Sequence, residues 1–286
     1  MTPSEMISLQ LAIQKVKQTG PGNEWDRLRD VYIHHGMFSH GSAFFLPWHR
    51  LFLKTLEQTL QDVDCSVTIP YFDFTTDVGN FENAIIWQPN FFGGNGKERD
   101  DCVPDHPFGP SGPWRPCIRR KFNRNIQLPS MLELALALSS DHYTEMSSSL
   151  ESYVSYLHQF IGGDMGENSA SYDPVFLAIH AFIDKLYWEW QQKGNNKFKF
   201  PAAYGRIPMI PFNVPPSGVF NSEVDLCVTY AETSRGHPCN NTLDNREDTS
   251  DRGDIPANPV DRYNAYYDKY GYDRHGFNRT GYQKNG

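Results

Sequence analysis

His40-Gly-Ser-Ala-Phe-Phe-Leu-Pro-Trp-His49-Arg50 sets two histidines nine positions apart, the second just inside a predicted helix. Pro47 falls in the first turn of that helix, where its missing N–H costs nothing. Leu51, Leu53, Leu56 and Leu60 continue the apolar face at close to helical spacing. A second segment has the same build: Asp173-Pro174-Val-Phe-Leu-Ala-Ile-His180-Ala-Phe-Ile-Asp184-Lys. It opens on a proline and carries a histidine on an apolar helix face. One such histidine is ordinarily a core residue. Two facing helices that each carry one point to a metal, because imidazole suits copper, zinc and iron and helix bundles build metal sites from inward-facing side chains.

The surrounding residues sharpen this. FLPWHR and DPxFxxxHAxxD resemble the two copper-binding signatures of the tyrosinase family, the type 3 copper proteins. Val67-Thr-Ile-Pro70-Tyr-Phe-Asp73-Phe is similar to that family's PYWDW segment, with Phe72 and Phe74 in place of the tryptophans. Leu150-Glu151 and Leu157-His158-Gln-Phe-Ile-Gly162-Gly163-Asp-Met165 resemble the segment that begins the second copper site. The resemblance runs over about residues 1–230. It implies a mainly α fold, with a four-helix bundle housing a type 3 copper-like site, long loops and few short strands. It also implies dioxygen-dependent oxidation of phenols and catechols to o-quinones.

By this resemblance the first site takes His40 and His49 as its second and third ligands. The first ligand is expected on the preceding helix after a V-x-x-H pattern. Val31-Tyr-Ile-His34 fits that pattern, and His35 is the alternative. The loop from His34 to His40 is much shorter than the family's, and no cysteine near His40 offers a thioether link. In the second site His158 and His180 match ligands. The position four before His158, where the family has histidine, is Val154, and Ser155 stands where asparagine is expected. Phe176 matches the aromatic that packs over the second copper. The expected metal set is therefore His34, His40, His49, His158 and His180, with copper in two sites, the second short of one ligand; zinc is compatible with the same donors. His142 lies outside the motif. Arg50 and Asp184 follow the histidines at helical spacing and read either as partners of the ligands or as ordinary salt bridges. His106, His237 and His275 read as solvated imidazoles, Lys97–Asp101 as a solvated loop face, and Trp48, Trp188 and Trp190 as core.

The resemblance leaves three functions open. One is a copper phenol or catechol oxidase acting on a small phenolic substrate or on protein tyrosines, impaired by Val154-Ser155. Another is a catalytically silent structural or matrix protein on a tyrosinase-like domain. The third is a domain that holds one metal for stability.

Composition limits the partners. The 286 residues carry a net charge of −8, and 39% of them are hydrophobic, enough for one sizeable core. No basic patch invites nucleic acid or an anionic membrane, and no run is long enough to span a bilayer. Residues 1–20 lack the apolar core of a signal peptide; Thr2, Pro3 and Glu5 read instead as a capping box at a helix start. Among five cysteines, Cys102 with Cys117 and Cys227 with Cys239 each bracket a loop and are expected to pair, leaving Cys65 over. Paired cysteines together with the sequons at Asn240 and Asn278 suggest an extracellular or secreted protein.

Helices are expected over 3–19, 24–35, 47–63, 129–139, 144–161 and 174–193, and a short strand over Val224–Tyr230. Residues 80–126 read as loop, and 200–218 as a proline-rich segment wrapping the bundle. The domain is expected over 1–237, with a polar linker over 238–261. Residues 262–286 hold four copies of an aromatic–polar–basic–x–Gly pentapeptide starting at Tyr267, Tyr272, Phe277 and Tyr282. That repeat reads either as a solvated tail or as an element of self-association or matrix attachment.

Overall fold

The computed structural model describes residues 2–230, except 19–21, 78, 98–99, 195 and 197–198. The linker, the pentapeptide tail, both sequons, Cys239, His237 and His275 lie outside the described residues.

Seven α-helices form among the described residues: α1 (Pro3–Gln18), α2 (Glu24–His35), α3 (Phe45–Gln61), α4 (Met131–Ser139), α5 (Tyr143–Ile161), α6 (Val175–Gln192) and the single turn α7 (Ser222–Asp225). Their ends follow local chemistry. Thr2 and Glu5 cap α1 reciprocally: the Glu5 amide donates to Thr2 Oγ1 at 3.3 Å and the Thr2 amide to Glu5 Oε2 at 2.5 Å. Asn23 caps α2 by accepting from the Asp26 amide at 2.9 Å, and Ser130 with Glu133 forms a capping box on α4. Gly162 and Gly163 stop α5 with φ of 60° and 55°. The 119–121 strip runs against this corner, so a Cβ on Gly162 would fall 2.5 Å from the Lys121 carbonyl.

Two helices are buried on every side. Every residue from Phe45 to Leu53 of α3 is buried, and so is every residue from Val175 to Asp184 of α6. A helix that is apolar all round belongs in the centre of a protein. Here α3 and α6 pack on each other, α5 packs on both, and α2 packs on α3. Trp48 and Trp190 are core, while Trp188 is half-buried against Tyr230.

Loops complete the shell. The Phe72 amide donates to the Ala178 carbonyl of α6 at 2.9 Å, and Phe74 meets Phe182 edge-on at 5.2 Å, which holds the Val67–Phe74 segment against α6. The proline-rich segment closes over α3, with Trp48 Nε1 donating to the Ile210 carbonyl at 2.7 Å. Two buried ion pairs join distant pieces. Arg120 donates twice to Asp173, at 2.7 Å each, fixing the loop to the start of α6. Arg50 on α3 donates to Asp184 on α6 at 2.7 Å, so the pair spans the two central helices. The Arg50 guanidinium also reaches Gln191 and the carbonyls of Val219 and Phe220, and Tyr230 caps Asp184 from the other side at 2.7 Å.

Three expectations are corrected. No strand forms among the described residues, only isolated bridges at Lys97–Cys102, Cys102–Arg119 and Met209–Val214. Residues 224–230 begin instead in the α7 turn, because Asn221 caps it and accepts from the Asp225 amide at 2.7 Å. Cys102 and Cys117 are joined as expected, with Cα atoms 5.8 Å apart. Cys227, however, is an exposed free thiol, and Cys65 is disulfide-bonded. Closeness along the chain does not bring Cβ atoms to bonding distance.

Candidate metal centre

Four of the five expected histidines come together where α3, α5 and α6 meet. Their rings form a chain: His40 to His49 at 5.1 Å, His49 stacked on His180 at 4.8 Å, and His180 to His158 at 5.2 Å. Nε2 of His158 lies 3.1 Å from Nε2 of His180. Phe176, one turn before His180 on α6, stacks on its ring at 3.9 Å and shields it from water.

Each imidazole is oriented from behind. His49 donates Nδ1–H to the Phe45 carbonyl one turn back, at 2.8 Å, which sets the tautomer and leaves a lone pair on Nε2. That Nε2 is buried with no hydrogen-bond partner, as is Nδ1 of His180. His40 is the exposed member of the group; its Nδ1 meets Glu151 Oε1 at 2.9 Å, and the same oxygen accepts from the Gly41 amide at 2.8 Å. A carboxylate behind a histidine is a common way to fix a metal ligand.

The electrostatics favour neutral rings. Burial, followed by the neighbouring His40, lowers His158 to about 3 and holds His49 well below the usual histidine range. Burial, with His49 next, does the same for His180. Neutral imidazole is the form that binds metal.

His34 does not join the group, whereas His35, the alternative first ligand, follows Val31 by four positions and Tyr32 by three and so lies on the inward side of α2, its ring 6.5 Å from that of Phe38. The His34 Nδ1 lies 2.7 Å from the Asp30 carbonyl of its own helix, and its ring contact is with His35 at 6.5 Å. The inward face of α2 is Trp25, Leu28, Val31 and Tyr32. Two positions further on lies about 200° round the helix, so His34 faces away from Tyr32's side. The short connection leaves no slack to turn it: the 3₁₀ turn Gly36–Phe38 follows α2 directly. Tyr32 stands at the site instead. Its ring meets Phe176 at 5.0 Å, His49 at 6.0 Å and His40 at 6.4 Å, and its hydroxyl is 3.4 Å from His40 Nε2. Burial raises its pKa above the ordinary tyrosine value, with Glu151 adding to the effect. Tyr32 and Glu151 were missed as site residues; the three- and four-residue spacing of Trp25, Leu28 and Tyr32 was the available signal for Tyr32. Val154 is buried one turn before His158, on the same face of α5, and Ser155 is exposed.

These donors fit a copper ion in kind: they are imidazoles, and buried His49 and His180 each keep a nitrogen without a hydrogen-bond partner. Two of them stand at a separation natural for ligands of one ion, given metal–nitrogen bonds of about 2.0–2.1 Å. Among the described residues, the group of three or more His, Cys, Asp or Glu with ligand atoms all within 4.8 Å of one another is Asp100, Cys102 and Cys117. Its two sulfurs are already joined to each other, so it offers no metal site.

Comparison with known proteins agrees with this architecture. The chain matches the family described as the common central domain of tyrosinase, over residues 10–126 and 114–193. It is 32% identical over 222 residues to a tyrosinase of Streptomyces antibioticus, covering 68% of this chain and 81% of that protein. It is 31% identical over 232 residues to a tyrosinase of Streptomyces glaucescens, covering 71% and 84% respectively. A functional unit of octopus hemocyanin shares the fold, with a TM-score of 0.55 and 22% identity, covering 75% of this chain and 58% of that one. Matched in sequence over most of its described length and in fold by a hemocyanin unit, the chain belongs to the tyrosinase family.

Proposed function

We propose that this chain is a tyrosinase-like type 3 copper protein in which His40 and His49 serve the first copper and His158 and His180 the second. Its family chemistry is the dioxygen-dependent oxidation of phenols and catechols to o-quinones. Copper, when bound, supplies the dioxygen binding and the electron exchange. The observation that carries this reading is the line of four imidazoles, in which the buried His49 Nε2 and His180 Nδ1 have no hydrogen-bond partner.

The chain's own residues prepare the site. Phe45 and Glu151 hold His49 and His40 in the tautomers that present Nε2 inward. Phe176 packs on His180 and keeps water from that side. His40 marks the open edge, beside exposed Met37 and Phe38, so a small phenol or a tyrosine on a polypeptide would approach there.

The chemistry is impaired. Valine has no lone pair, so the second copper keeps two protein nitrogens, enough for Cu(I) but short of the tetragonal set that Cu(II) prefers. Ser155, exposed, offers no amide where the family has asparagine. The competing reading is a catalytically silent matrix or assembly protein. Val154-Ser155 and the tyrosine-rich pentapeptides, whose tyrosines could be oxidised or serve self-association, favour it. Both readings take the protein to work outside the cell, a location that its disulfide bonds and the sequons in its sequence support.

Copper content and catechol oxidation of the parent and of Val154→His/Ser155→Asn test the impairment. The parent should carry fewer than two coppers per chain and oxidise catechol weakly. The double variant should gain copper and rate together. A parent already at two coppers, with no gain in the variant, would show that the lost ligand has been compensated.

A further inference from the structure

We infer that residues 262–286 of this chain are themselves the polypeptide substrate of its site: their tyrosines dock on an apolar rim beside His40 and are oxidised there. The inference rests on the proposed copper reading and names the substrate of that same site.

The rim is built from a short turn and a loop. His40, with its side chain 37% exposed, is the member of the histidine group that solvent reaches. Met37 and Phe38 stand just before it, 69% and 58% exposed. The Ser42 hydroxyl donates to the Ser39 carbonyl at 2.7 Å and lies 3.4 Å from that of Phe38, which folds this stretch back on itself around His40. Phe44, half-buried, then meets Tyr204 edge-on at 5.7 Å. Tyr204 and Ile207 of the proline-rich segment are exposed in turn. Large apolar side chains exposed together mark a contact surface. A small phenol, once inside the site, has no use for such a margin. A polypeptide does, because the residues flanking its tyrosine stay outside.

The rest of the chain supplies the occupant. Residues 262–286, outside the described residues, repeat an aromatic ring followed two positions later by Lys or Arg. The rings offer apolar area to the rim. Charge points the same way: residues 1–230 carry 18 Lys or Arg against 25 Asp or Glu, whereas 262–286 carry five against two. Domain and tail are of opposite sign and attract. Reach is ample. The Tyr230 hydroxyl is held by Asp184, one turn along α6 from His180. The stretch from Tyr230 to Arg262 spans up to about 100 Å when extended, more than the width of a domain this size.

A tethered substrate also suits a slow site. Tethering makes the encounter intramolecular, and each tail tyrosine has to react only once. The handicap of Val154-Ser155 therefore costs a tail tyrosine less than it costs a free phenol. Dioxygen is the oxidant: one tyrosine and one O₂ give one protein-bound o-quinone and one water. A ring C–H ortho to the hydroxyl becomes C–O. That hydrogen and the phenol hydrogen leave in the water, and the ring's four electrons reduce the dioxygen.

The test uses the copper-loaded full-length chain in air, with peptide mapping by mass spectrometry. Tyr267, Tyr272 and Tyr282 should gain the mass of one oxygen, or of one oxygen less two hydrogens. Tyr156, exposed on α5, should stay unmodified. The fraction modified in a fixed time should not change when the protein is diluted. Lys269→Glu, Arg274→Glu, Arg279→Glu and Lys284→Glu together should slow tail oxidation at least about tenfold, the lower end of electrostatic steering, and leave oxidation of free catechol unchanged. Phe38→Ser should slow tail oxidation as well. Catechol oxidised beside an unmodified tail overturns the inference alone. So does modification that falls with dilution, which would make the substrate another copy, or modification of Tyr156 as fast as the tail, which would mark indiscriminate oxidation. A chain that oxidises neither catechol nor tail overturns both this inference and the copper reading beneath it.

Discussion

His40 and His34 lie six residues apart and are held in opposite ways. His40 reaches across to α5, where Glu151 accepts from its Nδ1 at 2.9 Å; His34 bends back onto its own helix at 2.7 Å from the Asp30 carbonyl. Their substitutions should separate accordingly. His34→Ala should leave copper affinity unchanged, while His40→Ala should lower it sharply. Glu151→Gln should fall between, about 10–100-fold weaker than wild type, because the amide orients His40 without a carboxylate's charge. Isothermal titration of the four proteins with copper decides this, and an equal loss in His34→Ala and His40→Ala would refute the placement of His34.

At the level of elements, the site depends on the fit of α3 against α6. His49 and His180 stack across that contact, and one residue and one turn further on, respectively, Arg50 and Asp184 form a buried pair. The pair also gathers Gln191, Tyr230 and two loop carbonyls, so it locks the central helices to the segment that covers them. Removing one partner leaves a buried charge unopposed. Asp184→Leu should therefore cost about 3–5 kcal/mol in urea denaturation. Replacing both, as Arg50→Met with Asp184→Leu, should recover much of that loss. If the double variant is as unstable as the single one, the cost lies in packing rather than in the stranded charge. The helices themselves were readable from periodicity and caps: α2 spans the expected residues, and the ends of the other five long helices fall within two residues of expectation. The strand expected near residue 224 failed because β-type composition alone provides no partner strand.

For the whole molecule, the long excursion between α3 and α4 carries, among its described residues, no helix beyond short 3₁₀ turns, and its order comes from cross-links. Arg120–Asp173 and the Cys102–Cys117 bridge pin it. A bridge closing a loop of about 15 residues constrains the unfolded chain by on the order of 3 kcal/mol. Replacing Cys102 and Cys117 with serine should thus lower stability by about that amount, measured by denaturant unfolding. Among the described cysteines, maleimide labelling of the native, unreduced protein should modify Cys227 alone. Peptide mapping that finds label at Cys65 would contradict the bonding state described for it.

Sequence by itself determined the family, the long helices and the histidines carried by α3, α5 and α6, because motif spacing and helical period are local properties of the chain. It also put Val154 where the family resemblance expects a histidine, since His158 and its neighbours hold the register on both sides. Tertiary structure alone decided which residues of α2 face the site and that His34 is not among them. That depends on how α2 rolls against α3, and a shift of two positions, about 200° round a helix, exchanges His34 for Tyr32. It likewise decided that Cys227 stays free while Cys65 is bonded, because disulfide pairing depends on where Cβ atoms meet in space and not on which loop they bracket.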